Sequence, residues 1–470
     1  MENLTNDIRK LVQEVIEDLN IFPETQNTNT IGVFSNINSA ILAAEKAYEI
    51  FKGLPLEIRK DIITNIRKIS LENVEVISKM AQEETGLGRF EDKIIKNKLG
   101  INKTPGVEDI MPEAFSDEHG LTIVEKAPFG IIGSITPSTN PTVTIISNAI
   151  GMIAAGNAVV FNPHPSAKKV SAFLINLLNK AIVNAGGPEN LLTCIEEPTI
   201  ESAKDLMSNE KIAILVVTGG PAVVRVAMNS GKKVIAAGPG NPPCVVDETA
   251  DIPKAAKDIV AGASFDNNVI CICEKEIIVV ASVADYLKAE MKNNNCVELN
   301  QEQIKKITEL VIAEPGRKGH EGAANKEFVG KNAEYIAKRI NLEVPSSTRL
   351  LICEVDKNHP LVWTEQLMPV MPIVRVGNVD EAIDLAFECE HGFRHTAIMH
   401  SLNIAKLSKM ARIMNCSIFI KNGPSYAGLG QGGAGFASFT IASPTGDGVT
   451  RARTFTRERR CTIVDYFRIV

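Results

Sequence analysis

Residues 263–276, ASFDNNVICICEKE, carry the side chain best suited to covalent chemistry. Cys271 follows an amide-rich run, Asp266-Asn267-Asn268, and precedes an apolar stretch from Glu274 to Val280 that predicts a strand. A thiolate nucleophile needs partial exposure, nearby dipoles to hold its charge and a rigid element behind it. This stretch supplies residue types for all three. The competing assignment is a buried structural cysteine, since free Cys is among the most buried residue types. Cys273, two residues on, falls on the same side by strand alternation and is a lesser candidate. Three histidines stand together in HGFRHTAIMHS (391–401) without an acidic partner; His395 is read as a cleft residue and His391 and His400 as surface. No CxxC pair occurs, and the seven histidines show no ligand spacing with the nine cysteines, so no metal site is expected.

The elements that must position these groups alternate along a chain of 470 residues, long enough for two domains. With 44% hydrophobic and 23% charged residues the composition is that of a globular protein. A net charge of −6 gives no basic field for nucleic acid. The longest apolar run, near Val143–Phe161, is broken by Asn148, Gly151, Gly156 and Asn157, which predicts a buried helix turning into a strand and not a membrane span. Scattered cysteines without a signal peptide place the chain in a reducing, cytoplasmic compartment. The strand over 157–161 runs into NPHPSAKK (162–169), where the carboxyl end of a parallel strand in an open sheet holds a nucleotide. Asn162, His164 and Pro165 are therefore candidate contacts, although His164 reads equally well as a turn residue. Lys211–Val217 predicts another strand, followed by TGGP (218–221) and a helix. Gly219 and Gly220 would let backbone amides approach a phosphate, with Thr218 beside them. Leu121–Ile135 predicts strand–turn–strand. From Ala250 to about Ala427 strands and helices alternate again, as in a second α/β domain. Residues 4–19 have helical apolar periodicity, and a polar stretch to Thr30 follows.

The strings SFDNNxxCI followed by EKE, TPSTNPT (136–142) and SPTGDGVTRARTFTRxRRC (443–461) resemble the CoA-acylating aldehyde dehydrogenases, a branch of the aldehyde dehydrogenase superfamily. The resemblance spans roughly 31–463. It implies an α/β, aldehyde dehydrogenase-like fold of two α/β domains. A Rossmann-type nucleotide-binding domain would take 31–113 and 133–239, and a catalytic domain with the Cys nucleophile 240–435. A small β oligomerisation extension would take 114–132 and 436–470, behind an N-terminal helix (1–20) and a linker (21–30). Cys271 would attack a short-chain aldehyde, and Asn140 would donate to the oxyanion, the alternative being a turn cap. Thr136, Pro137, Ser138, Thr218, Gly219 and Gly238 would line the cofactor site, and Glu365 in TEQLMPVMPIVRV would bond the nicotinamide ribose. The helix-rich segment EETGLGRFEDKIIKNK (83–98) is scaffold with no chemistry assigned.

Two departures from hydrolytic relatives matter. Ala236 stands where they carry the glutamate that activates water, so a thioester should persist until coenzyme A removes the acyl group. Glu274 is the alternative base in a hydrolytic reaction, and a non-redox Cys acyltransferase is the reading from another class. No carboxylate stands near Pro165 to hold an adenosine 2′-hydroxyl, so this position gives no preference for NAD over NADP; NAD is the cofactor expected, with NADP not excluded. A homodimer or homotetramer is implied. Residues 4–19 resemble an encapsulation peptide that would bind microcompartment shell proteins, the alternative being a helix packed on its own enzyme. Five arginines within 451–460 would suit coenzyme A phosphates, or simply keep an edge strand soluble.

Overall fold

Strands Ile131–Ile135 and Ala158–Asn162 are buried along their whole length, and so is helix Pro141–Ala154 between them. Strands without an exposed face belong inside a parallel sheet covered on both sides. The computed structural model describes residues 30–470. The helix expected over 1–20 and the linker over 21–30, Thr30 apart, lie outside the described residues.

A six-stranded parallel sheet runs in the order Val33–Phe34, Leu192–Ile195, Ala158–Asn162, Ile131–Ile135, Ile212–Thr218, Lys233–Ala237. The chain leaves Ile131–Ile135 to build one side and then returns to build the other. That reversal puts a topological switch point beside the ends of Ile131–Ile135, Ala158–Asn162 and Ile212–Thr218, the usual crevice for a nucleotide. A seven-stranded parallel sheet follows, ordered Cys296–Glu298, Leu350–Glu354, Val370–Val376, Glu276–Val280, Pro243–Val246, Thr396–His400, Ile418–Lys421. Its central strand Glu276–Val280 is fully buried and begins just after the candidate nucleophile.

The predicted strand–turn–strand of 121–135 exists, but its arms diverge into different sheets. Gly120–Pro128 pairs antiparallel with Glu113–Asp117 and with Thr456–Val464 in a three-stranded sheet. Only Ile131–Ile135 joins the parallel core, so the turn is a corner between sheets.

Candidate active site

Helix Ile252–Ala263, capped by Asp251, delivers the chain into a short 3-10 turn, Phe265–Asn268. There Asp266, Asn267 and Asn268 all take left-handed conformations, with φ of 49°, 54° and 67°. L-residues avoid this region, Asp and Asn least strongly, and each such residue costs about 1–3 kcal/mol unless its surroundings fix it. Here all three are fixed. Asp266 is held by lysines described below. Asn267 Nδ2 donates to Gly330 O at 2.9 Å and Asn332 Oδ1 at 2.8 Å. Asn268 Nδ2 donates to Ala263 O at 2.7 Å and Glu274 O at 2.9 Å. From the far side the buried Lys275 reaches back, its Nζ bonding Asn268 Oδ1 at 2.6 Å, Asn268 O at 3.2 Å and Ile270 O at 3.1 Å.

This clamp presents Cys271 on a turn and not on a strand, so strand alternation does not apply at 271–273. Cys271 keeps partial exposure. Cys273, expected on the same side, is instead 1% exposed, packed in the core with its Sγ toward Phe265 O. Although its residue reaches the surface, the Cys271 thiol is set deep. Burial pushes it up to about 12, and Glu365 adds to that, while Lys275 and the backbone N–H groups of Cys271 and Ile272 draw it down. The resting group is a thiol.

Asn140 precedes helix Pro141–Ala154 but makes no side-chain cap bond, so the turn-cap alternative fails. Its Oδ1 accepts from the Lys96 ammonium at 2.7 Å, and its Nδ2 donates to the Thr139 hydroxyl at 3.1 Å. Lys96 also donates to Asp266 Oδ2, and Lys93, one turn earlier on helix Phe90–Lys103, donates to that same oxygen at 3.0 Å. Both lysines are at most 2% exposed. Burial, with Lys96 beside it, draws Lys93 down to about 8 against the pull of Asp266. Segment 83–98 is thus no passive scaffold. Its sequence signal was the FEDK-IIK spacing, which puts Asp92, Lys93 and Lys96 within one helical turn.

Gly240 packs between Glu365, Cys271 and His395. Its N–H donates to Glu365 Oε1 at 3.3 Å, and an added Cβ would sit 3.0 Å from Cys271 O and 2.9 Å from His395 Cγ. Glu365 is no solvated surface carboxylate. Burial raises it to about 7, with Lys275 opposing and Glu321 assisting. His395 is fully buried and held neutral, burial and then Lys275 drawing it down to about 3. Its Nδ1 meets the Thr396 hydroxyl at 2.8 Å and its Nε2 has no partner. Ala236 is fully buried, and its N–H donates to Thr445 Oγ1 at 3.1 Å. Glu274, the alternative base, is fully buried, accepts from Ser425 N–H at 3.0 Å and faces Gly262.

The nucleotide candidates gather at the switch point. Thr136 is buried with an unpartnered Oγ1, while Pro137 and Ser138 are half-buried beside it. Thr136 N–H bonds Asn162 O at 3.4 Å. Asn162 Oδ1 accepts from Ser202 Oγ at 2.7 Å, so its side chain ties the sheet to helix Ile200–Ser208. His164 and Pro165 are exposed, and His164 Nδ1 accepts from Ser166 N–H at 3.1 Å as a turn cap. Thr218 Oγ1 meets Thr440 Oγ1 at 2.9 Å, and Gly219-Gly220 lead into helix Pro221–Met228, with open space around Gly220. A Cβ on Gly238 would press Pro444 at 2.9 Å, so residues 440–445 close over these strand ends. Arg451 and Arg453 both pair with Asp109, while Arg457, Arg459 and Arg460 lie on exposed strand Thr456–Val464. Among the described residues no group of three His, Cys, Asp or Glu could hold a metal ion, and no helix is long and apolar enough to cross a membrane.

Residues 30–438 match the profile described as "Aldehyde dehydrogenase family". The chain is 48% identical over 468 residues to the acetaldehyde dehydrogenase (acetylating) EutE of Salmonella typhimurium, covering 99% of each. It resembles a Rhodopseudomonas palustris propionaldehyde dehydrogenase solved with bound CoA and an acylated cysteine, at TM-score 0.89 and 48% identity, over 92% of this chain and 98% of that one. A propionaldehyde dehydrogenase from the Clostridium phytofermentans fucose utilisation bacterial microcompartment matches at TM-score 0.90 and 46% identity, over 94% and 100%.

Proposed function

This chain belongs to the aldehyde dehydrogenase family, and from that premise we propose how its own residues oxidise a short-chain aldehyde to an acyl-CoA. The reaction is that of a CoA-acylating, NAD(P)-dependent dehydrogenase acting on acetaldehyde- or propanal-sized substrates. The observation that carries the assignment of roles is the part-exposed Cys271 on a turn clamped by Asn268 and Lys275.

Cys271 gives up its proton, and its sulfur adds to the aldehyde carbon, forming a C–S bond and an alkoxide. The Asn140 amide and the Cys271 N–H hold that alkoxide, each donor contributing about 3 kcal/mol in kind. Collapse of the alkoxide expels hydride and leaves an acyl thioester on Cys271. The nicotinamide dinucleotide supplies the acceptor for that hydride. The CoA thiolate then attacks the acyl carbon, and Cys271 leaves as thiolate and regains a proton. The balance is aldehyde, NAD(P)+ and CoA thiol giving acyl-CoA, NAD(P)H and one proton. With Ala236 buried in place of a carboxylate, and Glu274 turned to Ser425, neither of these two positions supplies a base to activate water.

The residues fit a dinucleotide. The unpartnered Thr136 hydroxyl, the Gly219-Gly220 turn before a helix, and the Thr218, Gly238 and Glu365 positions would hold its phosphates and riboses. Asn162, His164 and Pro165 present no carboxylate to the adenosine side, so no group there repels a 2′-phosphate, and both NAD and NADP are accepted. The three-stranded sheet supports a homodimer or homotetramer, since strand Glu113–Asp117 is exposed throughout and Phe115, Val464, Tyr466 and Phe467 expose large apolar surface. Microcompartment residence through residues 4–19 is supported by the relative from such a compartment, and deleting 1–20 while tracking a fused reporter tests it.

The deciding assay follows NAD and NADP reduction with propanal, with and without CoA, together with thioester formation. Turnover that requires CoA and yields propanoyl-CoA is expected, and it should vanish in Cys271→Ala. Equal turnover to free acid without CoA would overturn the acceptor assignment.

A further inference from the structure

We propose that Lys96 is a positioning residue for the oxyanion amide, coupling Asn140 to the loop that carries the nucleophile. This rests on Asn140 serving as the oxyanion donor, as set out above. One ammonium bridges two elements remote in sequence. It donates to Asn140 Oδ1 at 2.7 Å at the start of helix Pro141–Ala154, and to Asp266 on the left-handed run five residues before Cys271. An ammonium has only donors, so the face of Asn140 toward Lys96 must be its oxygen, and its NH2 must point away. A buried cation on an amide oxygen also withdraws electron density, making the N–H groups stronger donors. The one partner of Nδ2 is the Thr139 hydroxyl at 3.1 Å, a rotatable group that an alkoxide can outcompete.

Neutralising Asp266 does not require Lys96. Asp266 already accepts Lys93 at 3.0 Å on Oδ2 and the Arg89 N–H at 2.7 Å on Oδ1. The neighbouring Asp92 is itself engaged, accepting the Asp266 N–H at 3.0 Å and Arg349 at 3.1 Å. Two buried ammoniums on one carboxylate oxygen leave surplus positive charge, and the surplus lies against Asn140. Hydride transfer and CoA attack both pass through an oxyanion on the same carbon, so one fixed amide serves both half-reactions.

The test is a double-mutant cycle of Lys96→Met and Asn140→Ala, with melting temperature, kcat and aldehyde KM measured for each protein. Asn140→Ala alone should lower kcat about 10²–10³-fold. If it leaves kcat unchanged, the oxyanion role of Asn140 fails, irrespective of Lys96. Given that loss, Lys96→Met should lower kcat by at least tenfold with aldehyde KM within about twofold, and should lower it less than threefold further when Asn140 is already Ala. Equal losses in both backgrounds, or no loss in the first, overturns the proposal. If Lys96→Met does not melt cooperatively, Asn140→Asp decides. A carboxylate pairs with Lys96 but has no N–H, so the variant should melt near the wild-type temperature and lose at least 10²-fold in kcat. A collapsed melt or unchanged kcat overturns the contact or its role.

Discussion

Replacing Gly240 by Ala should separate nucleophile position from everything else the cleft does. The added methyl would lie 2.9 Å from His395 Cγ, 3.0 Å from Cys271 O and 3.2 Å from His395 Cδ2. Unstrained contacts of this kind lie near 3.5 Å, so something must move by about half an ångström. The imidazole is a poor candidate, because Nδ1 is held by Thr396 and its backbone N–H by Glu390 Oε1 at 2.7 Å. The carbonyl of Cys271 is left to yield, and it carries the sulfur with it. Overpacking of this size costs about 1–3 kcal/mol of stability. A displacement near 1 Å at a reacting atom costs about 10²-fold in rate. We therefore expect kcat/KM for aldehyde to fall about 10- to 100-fold while the melting transition stays cooperative. Steady-state kinetics beside a thermal melt and dinucleotide titration measure this. Wild-type kcat/KM with a lowered melting temperature would refute the reasoning, because the strain would then have been absorbed away from the nucleophile.

Two further outcomes follow from the charged groups. Peptide-resolved alkylation of Cys271 should be slow at pH 7 and rise about tenfold per pH unit to pH 10 without a plateau, since burial holds the thiol near 12; Lys275→Met, which removes the cation that draws the thiol down, should slow it further. His400, expected at the surface, instead ends the buried strand Thr396–His400; its Nε2 is unpartnered, and burial draws it down to about 3. A folded value below the unfolded one means stability present above pH 6.5 is lost as pH falls toward 3. Between pH 7.5 and 5.5 the wild type should therefore lose about 1.3 kcal/mol more than His400→Leu in denaturant melts, and equal slopes would refute the linkage.

The central strands of the two parallel sheets, such as Ala158–Asn162, Ile212–Thr218 and Glu276–Val280, were legible as continuous apolar runs, whereas short strands such as Val33–Phe34 and Cys296–Glu298 carry too few residues to form one. The turn carrying Cys271 was legible in its residue types but not in its geometry. Alternation assigned Cys273 to the same side, whereas three left-handed residues and Lys275 turn the chain so that only Cys271 faces out. Lys93 and Lys96 were passed over for a physical reason. Lysine on an amphipathic helix is normally solvated, and only the distant carboxylate of Asp266 and amide of Asn140 explain its burial here. Asn140 itself has no local signature, since Asn before Pro usually caps a turn. Its side chain declines that bond only because an ammonium lies on the other side.

The clamp around Cys271 also has a direction in time. A ribosome releases the chain from the amino end, so Cys271 emerges when Lys93 and Lys96 are already available but Gly330, Asn332 and Arg349 are not. Those later residues receive the Asn267 amide and bind Asp92 and Ser264. The left-handed run therefore cannot be completed until some eighty further residues have been made. A partly synthesised chain carries Cys271 without the burial that holds its thiol near 12, so until those residues arrive stray electrophiles meet an ordinary thiol, more readily ionised than the one in the folded protein.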